Sequence, residues 1–255
     1  MFRWVFALFI SFFSVMEANE FKKTLIIGYE LDNKEYLSMG VVTKSGYILT
    51  SSDFFSKNNI KKDITVYVYD SDFTQPTCFM KARVKAVDFD RNMALLEGDG
   101  YLDVFCNEMS SQSEYHKKFL ESAMIDFFCG ECKYFPDILE SVRYVEFDKE
   151  GLLVSKKSEN LGYFFKDEKD LGYVVGFVVD HNPLYPGTPY FDKDGNLMGM
   201  YVFGKFADIG FDGALSKGFI TSYICELENA SVIQTPHKLC EGFEDSELFG
   251  IIEEK

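Results

Sequence analysis

Apolar residues along this chain recur in short runs, alternating or nearly continuous, separated by turn residues. Runs at 24–29, 39–43, 47–51, 64–69, 84–88 and 93–97 have strand length and are rich in β-branched and aromatic residues, which pack well on a pleated surface. Lys44, Ser45 and Gly46 supply the turn between the second and third runs. The pattern predicts an all-β first half. Runs at 142–147, 152–155, 173–179, 188–191 and 197–203 repeat it, with Asp194, Gly195 and Asn196 between the last two as residues that favour tight turns. The stretch 107–122 is polar without alternation and predicts a crossover, and 123–128 reads as a strand or short helix. Two β units joined by one long connection suit a pair of packed barrels better than a parallel α/β sheet, because helices do not alternate with strands. Near the end, Ser216 is placed to cap a helix whose Phe219, Ile220, Tyr223, Ile224 and Leu227 fall on one face.

The N-terminus changes the picture. After Arg3, residues 5–16 are apolar apart from two serines and lead to the small residue Ala18. About 12 residues fall short of the roughly 20 needed to cross a bilayer. Residues 1–18 therefore read as a cleaved signal peptide, and Met16 and Glu17 keep an uncleaved anchor as the alternative, because they make a weak cleavage pattern. No later segment predicts a membrane span. The expected domains are a first barrel over 19–110, a linker over 111–122, a second barrel with its closing helix over 123–230, and an acidic tail over 231–255. The absence of a lipid-bearing cysteine at the end of the signal favours a periplasmic location, with secretion as the alternative. The net charge of −15 over 255 residues argues against nucleic acid as a partner, since phosphate binding needs clustered Lys and Arg.

Six cysteines follow the signal: Cys78, Cys106, Cys129, Cys132, Cys225 and Cys240. In an oxidising compartment they are candidates for disulfides, with a pairing that spacing does not reveal. Cys129 and Cys132 form a CxxC; a structural disulfide is the first reading and thiol exchange the alternative, because no long helix follows to lower a thiolate pKa. His116, His181 and His237 are too dispersed to give metal-ligand spacing. The expectation is no metal and no cofactor.

Three segments, in order, resemble the trypsin-like serine proteases, particularly the HtrA-type members. Gly40-Val41-Val42 followed by residues 46–53 resembles the family hairpin that ends on the catalytic histidine, here Asp53. Residues 88–96 resemble the D-x-x-x-D-l-A-l-l stretch, whose second aspartate is here Asn92. Residues 184–191 with 194–200 resemble G-N/D-S-G-G-P and the turn after it, with Pro186 at the nucleophile position and Leu184 at the first glycine. Residues 214–227 resemble the end of the last strand and the closing helix. The resemblance implies two six-stranded β-barrels of the trypsin/chymotrypsin type with a C-terminal helix.

It also implies a degenerate site. Serine attack needs a hydroxyl, an imidazole to take its proton and a carboxylate to hold the imidazole. Proline has neither the hydroxyl nor the N–H that the oxyanion site uses, and removing one such donor typically costs on the order of 3 kcal/mol. The leading expectation is a pseudoprotease that binds a peptide or protein partner. By resemblance, Met200, Tyr201, Val202, Phe203 and Gly204 would form the strand that aligns a peptide main chain; packing inward as core is the other reading. Two alternatives stay open: a hydrolase rearranged around Asp53, His181 or a displaced serine such as Ser51 or Ser52, and a thiol-dependent protein using Cys129 and Cys132.

Overall fold

In a computed structural model, the protein is described over residues 19–31, 34–55, 63–69, 75–127, 133–168, 172–202, 213–234 and 240. The signal segment, Cys129, Cys132, Phe203, Gly204 and the acidic residues beyond Cys240 lie outside the described residues. A short helix α1 (Asn19–Lys23) leads into β1 (Leu25–Leu31), β2 (Lys34–Val42), β3 (Ile48–Ser51), a 3-10 turn (Ser52–Phe54), β4 (Ile64–Val68), β5 (Thr77–Asp88), β6 (Met93–Leu102) and β7 (Glu108–Met109). The strands are antiparallel in the order β3-β2-β1-β4-β5-β6-β7, and a β3–β6 pairing closes the first six into a barrel. After helix α2 (Glu114–Ala123) come β8 (Ser141–Phe147), β9 (Leu153–Glu168), β10 (Gly172–Val179), β11 (Pro189–Phe191), β12 (Leu197–Val202), β13 (Gly213–Ser216) and helix α3 (Lys217–Asn229). Strands β8 to β13 form a second closed barrel, in the order β10-β13-β12-β11-β8-β9. Two closed six-stranded barrels and a C-terminal helix are the trypsin/chymotrypsin architecture.

The near-continuous apolar runs have a simple cause: some strands bury both faces. In β6, Ala94 and Leu96 enter the first barrel's core, while Met93 and Leu95 join a second cluster with Val41, Leu49, Phe191, Leu197, Met200 and Leu215. That second cluster lies between the barrels and also receives Phe219, Ile220, Tyr223 and Ile224 from α3. Burying one helical stripe there anchors α3, which Ser216 caps by accepting from the Phe219 N–H at 3.2 Å. Helix α1 bridges the barrels in the same way, with Phe21 packing among Ile26, Met39 and Tyr69 of one and Val145 and Leu153 of the other.

The polar stretch 107–122 differs from the expected irregular crossover. It contains α2, capped by Ser113, which buries Phe119 and Ala123 in the first barrel's core. His116 is 3% exposed, and its Nε2 sits 3.0 Å from the Phe79 carbonyl and 2.9 Å from that of Leu102. An Nε2–H shared between two carbonyls leaves Nδ1 to accept from Ser113 Oγ at 2.6 Å. Only one narrow stripe of α2 faces inward, so most of its residues are polar. Strand β9 also runs well past the apolar run at 152–155, because it pairs first with β8 and then with β10.

Candidate functional site

The hairpin of β2 and β3 places the first site residue. Strand β3 ends at Ser51, whose Oγ caps the 3-10 turn by accepting from the Asp53 N–H at 3.1 Å. The turn projects Asp53 outward while Ser51 and Ser52 stay buried. Asn92 stands in the β5–β6 turn with φ +59°, a left-handed conformation that asparagine tolerates better than most residues. Pairing of Ser51 with Met93 in the β3–β6 ladder brings the two turns together.

The result is a compact polar network. Asn92 Nδ2 donates to Asp53 Oδ2 at 2.8 Å, and Asn92 Oδ1 accepts from Ser52 Oγ at 3.0 Å. Ser51 Oγ lies 3.0 Å from Asp53 Oδ2 and 3.1 Å from Asn92 Oδ1, with one proton to give to either. The Ser52 N–H donates to the Asn92 carbonyl at 3.2 Å. Asp53 and Asn92 are thus in direct contact. Among the described residues, the network ties each serine hydroxyl to an amide or carboxylate oxygen and contains no imidazole.

Pro186 reaches this region from the second barrel. Its carbonyl accepts from the Met39 N–H at 2.9 Å and from Ser38 Oγ at 2.7 Å. Thr50 Oγ1 lies 2.9 Å from Ser38 Oγ and donates to the Met39 carbonyl at 2.7 Å. The next residue, Gly187, has φ +79° and passes so close to β2 that a Cβ would lie 2.0 Å from the Met39 oxygen. Its N–H donates to the Tyr201 carbonyl at 2.8 Å. The loop carrying Pro186 is therefore stitched to both barrels, while Leu184, two residues earlier, is 64% exposed.

His181 belongs to a separate group. Its Nδ1 is 3.0 Å from Asp180 Oδ2, and Ser158 Oγ donates to Asp180 Oδ1 at 2.6 Å. That bond, helped by the Glu159 N–H and by His181, holds the Asp180 carboxyl down to about 2. Among the described residues no hydrogen bond joins His181 to Asp53. Thr188 is buried and donates to the Tyr185 carbonyl at 2.7 Å.

The expected peptide-aligning strand needs correction over its first part. Met200, Tyr201 and Val202 are buried in β12, which pairs with β13 through Met200↔Leu215, Tyr201↔Ala214 and Val202↔Gly213. On the other edge, the Tyr201 N–H donates to the Thr188 carbonyl at 2.9 Å and the Tyr201 carbonyl accepts from Gly187. With both edges of the strand occupied there, a peptide cannot add to it, and the expectation narrows to Phe203 and Gly204. Of the cysteines, Cys78 pairs with Cys106 and Cys225 with Cys240. Among the described residues no cysteine is free, no group of three or more His, Cys, Asp and Glu side chains is placed to hold a metal, and no helix is long and apolar enough to cross a membrane.

Closed twin barrels, a closing helix and a loop crossing to the β2–β3 hairpin give this chain the trypsin-like double-barrel fold. Among solved structures it is similar to the Rv3671c protease from M. tuberculosis in its active form, at 14% identity and TM-score 0.57, covering 88% of this chain and 87% of that one. It is also similar to the MamO protease domain from Magnetospirillum magneticum in its apo form, at 14% identity and TM-score 0.54, covering 80% and 97%. A serine endoprotease from Yersinia pestis matches at 14% identity and TM-score 0.53, covering 84% and 65%. No family model matches the sequence, and no curated protein matches it. At this identity the likenesses establish the fold.

Proposed function

We propose that this protein is an exported, non-catalytic relative of trypsin-like proteases that holds a peptide or protein partner. The observation that carries the reading is Pro186. The residue at the nucleophile position has no hydroxyl and no N–H, and its carbonyl is taken up by Ser38 and Met39. Acyl transfer requires an attacking oxygen and a base within about 3 Å. Among the described residues, Ser51 and Ser52 bring their hydroxyls beside Asp53, and both are hydrogen-bonded to Asn92.

The scaffold around that position is intact: the loop is sewn to β2, and the two barrels share one apolar core. Such a framework suits recognition, and exposed Leu184 offers an apolar contact on the loop. Export rests on the N-terminal segment, and the periplasm is the compartment we favour. The test is to incubate the purified exported form with a broad peptide library and a serine-directed fluorophosphonate probe. The expected result is neither turnover nor labelling, with selected peptides retained on the immobilised protein. Reproducible turnover that disappears in Asp53→Ala or Ser52→Ala would overturn the reading.

A further inference from the structure

Away from this site, a cleft of about 440 Å³ opens between the β5–β6 turn and α3. Val87, Phe89 and Leu227 give it an apolar wall, and Asp88, Asp90, Arg91 and Glu226 supply its charges. Arg91 is already committed: Nη1 pairs with Asp88 Oδ2 at 2.8 Å and Nη2 with Glu226 Oε2 at 2.7 Å. Among the described residues three carboxylates face one guanidinium across the cleft, and Asp90 stands exposed at its rim.

Tyr223 also lines this cleft. The residue is 3% exposed, and its hydroxyl is buried with no hydrogen-bond partner among the described residues. Burial, and after it the Asp88 charge, push the phenol up; Arg91 opposes them and Glu226 adds to them. The Arg91 guanidinium over the Tyr223 ring places the phenol beside the charged side of the cleft. A buried hydroxyl without a partner is unfavourable and rare in a finished structure. An incoming donor would satisfy it.

We propose that this cleft binds a basic side chain, the ammonium of a lysine or the guanidinium of an arginine presented by a peptide. The aliphatic stem lies along Phe89 and Leu227, as long cationic side chains do on apolar surface. The head group meets Asp90 and Glu226 and donates to the Tyr223 oxygen. Arg91, stacked 5.9 Å from the centre of the Tyr223 ring, holds the phenol and the Glu226 carboxylate in place. This site does not depend on the reading of Pro186, and the two can fail separately.

The test is titration of the full exported chain with three blocked tripeptides, Ala-Lys-Ala, Ala-Arg-Ala and Ala-Glu-Ala, followed by calorimetry and backbone NMR shifts. Saturable binding of a basic peptide is expected, with shifts concentrated in 86–91 and 223–230 and none from the Glu peptide. Asp90→Asn, at an exposed position that leaves the fold alone, should weaken binding several-fold. Tyr223→Phe should weaken it about five-fold while leaving the melting temperature of the free protein unchanged or raised. Absent saturation, shifts centred elsewhere, equal binding of the Glu peptide, or full affinity in both variants would each overturn the proposal. A Tyr223→Phe protein that melts lower would show that the hydroxyl has a structural partner, and would also overturn it.

Discussion

Replacing Gly187 with alanine probes the seam that joins the two barrels beside Pro186. A Cβ there would lie 2.0 Å from the Met39 oxygen, 2.8 Å from Thr50 Oγ1 and 3.0 Å from Ser38 Oγ. The left-handed backbone at φ +79° alone costs an L-residue about 1–2 kcal/mol. No rotamer change relieves an overlap with a backbone oxygen, so the loop must withdraw from β2. Withdrawal breaks the bonds from Met39 N and Ser38 Oγ to the Pro186 carbonyl, and from Gly187 N to the Tyr201 carbonyl. At about 1 kcal/mol net for each bond, the expected loss is about 4–5 kcal/mol, a large part of the roughly 5–15 kcal/mol that holds a domain folded. Urea unfolding followed by circular dichroism measures it, provided that the slope is unchanged. Gly46→Ala is the control: its φ of +82° is also left-handed, but nothing lies within 4 Å of the added Cβ, so about 1–2 kcal/mol is expected. A loss below about 2 kcal/mol at Gly187, or equal losses at the two positions, would refute the reasoning.

Pro186→Ser alone should gain no fluorophosphonate labelling, because Asp53 and Asn92 supply no imidazole to accept the proton; stoichiometric labelling would show that another base reaches the position. His116→Phe strips the Phe79 and Leu102 carbonyls of their shared donor and should lower stability by about 2–3 kcal/mol in urea unfolding, so an unchanged midpoint would count against the tautomer assigned above. Asp180 is held below its ordinary value of 3.8, first by Ser158, so its stabilising effect is present above pH 3.8 and lost as pH falls through about 2. Ser158→Ala should return the Asp180 midpoint toward the ordinary carboxylate range in a carboxyl-carbon NMR titration and flatten stability over that window. An unshifted midpoint would mean that the hydrogen bond is not the cause.

Much of the fold is legible because burial leaves a period in the chain. The run 93–97 reads as a strand since Ala94 and Leu96 face one core and Met93 and Leu95 the other. Ser216 and the Phe219 stripe declare α3 for a similar reason. Helix α2 was harder, because only His116, Phe119 and Ala123 are buried among ten residues; Ser113 as a cap was the available signal.

The sequence by itself determined that Asp53, Asn92 and Pro186 carry a carboxylate, an amide and a ring without hydroxyl or N–H, since chemistry of that kind belongs to the side chain alone. It also determined which strand faces are apolar. Only the tertiary structure decided what stands opposite each face. Ser52 and Asn92 are forty residues apart and meet because β3 and β6 close a barrel. Cys225 finds Cys240, and Pro186 finds Ser38, through the same long-range packing. Periodicity records how much water each side chain meets, whereas a hydrogen bond or disulfide depends on a second residue that local pattern cannot name.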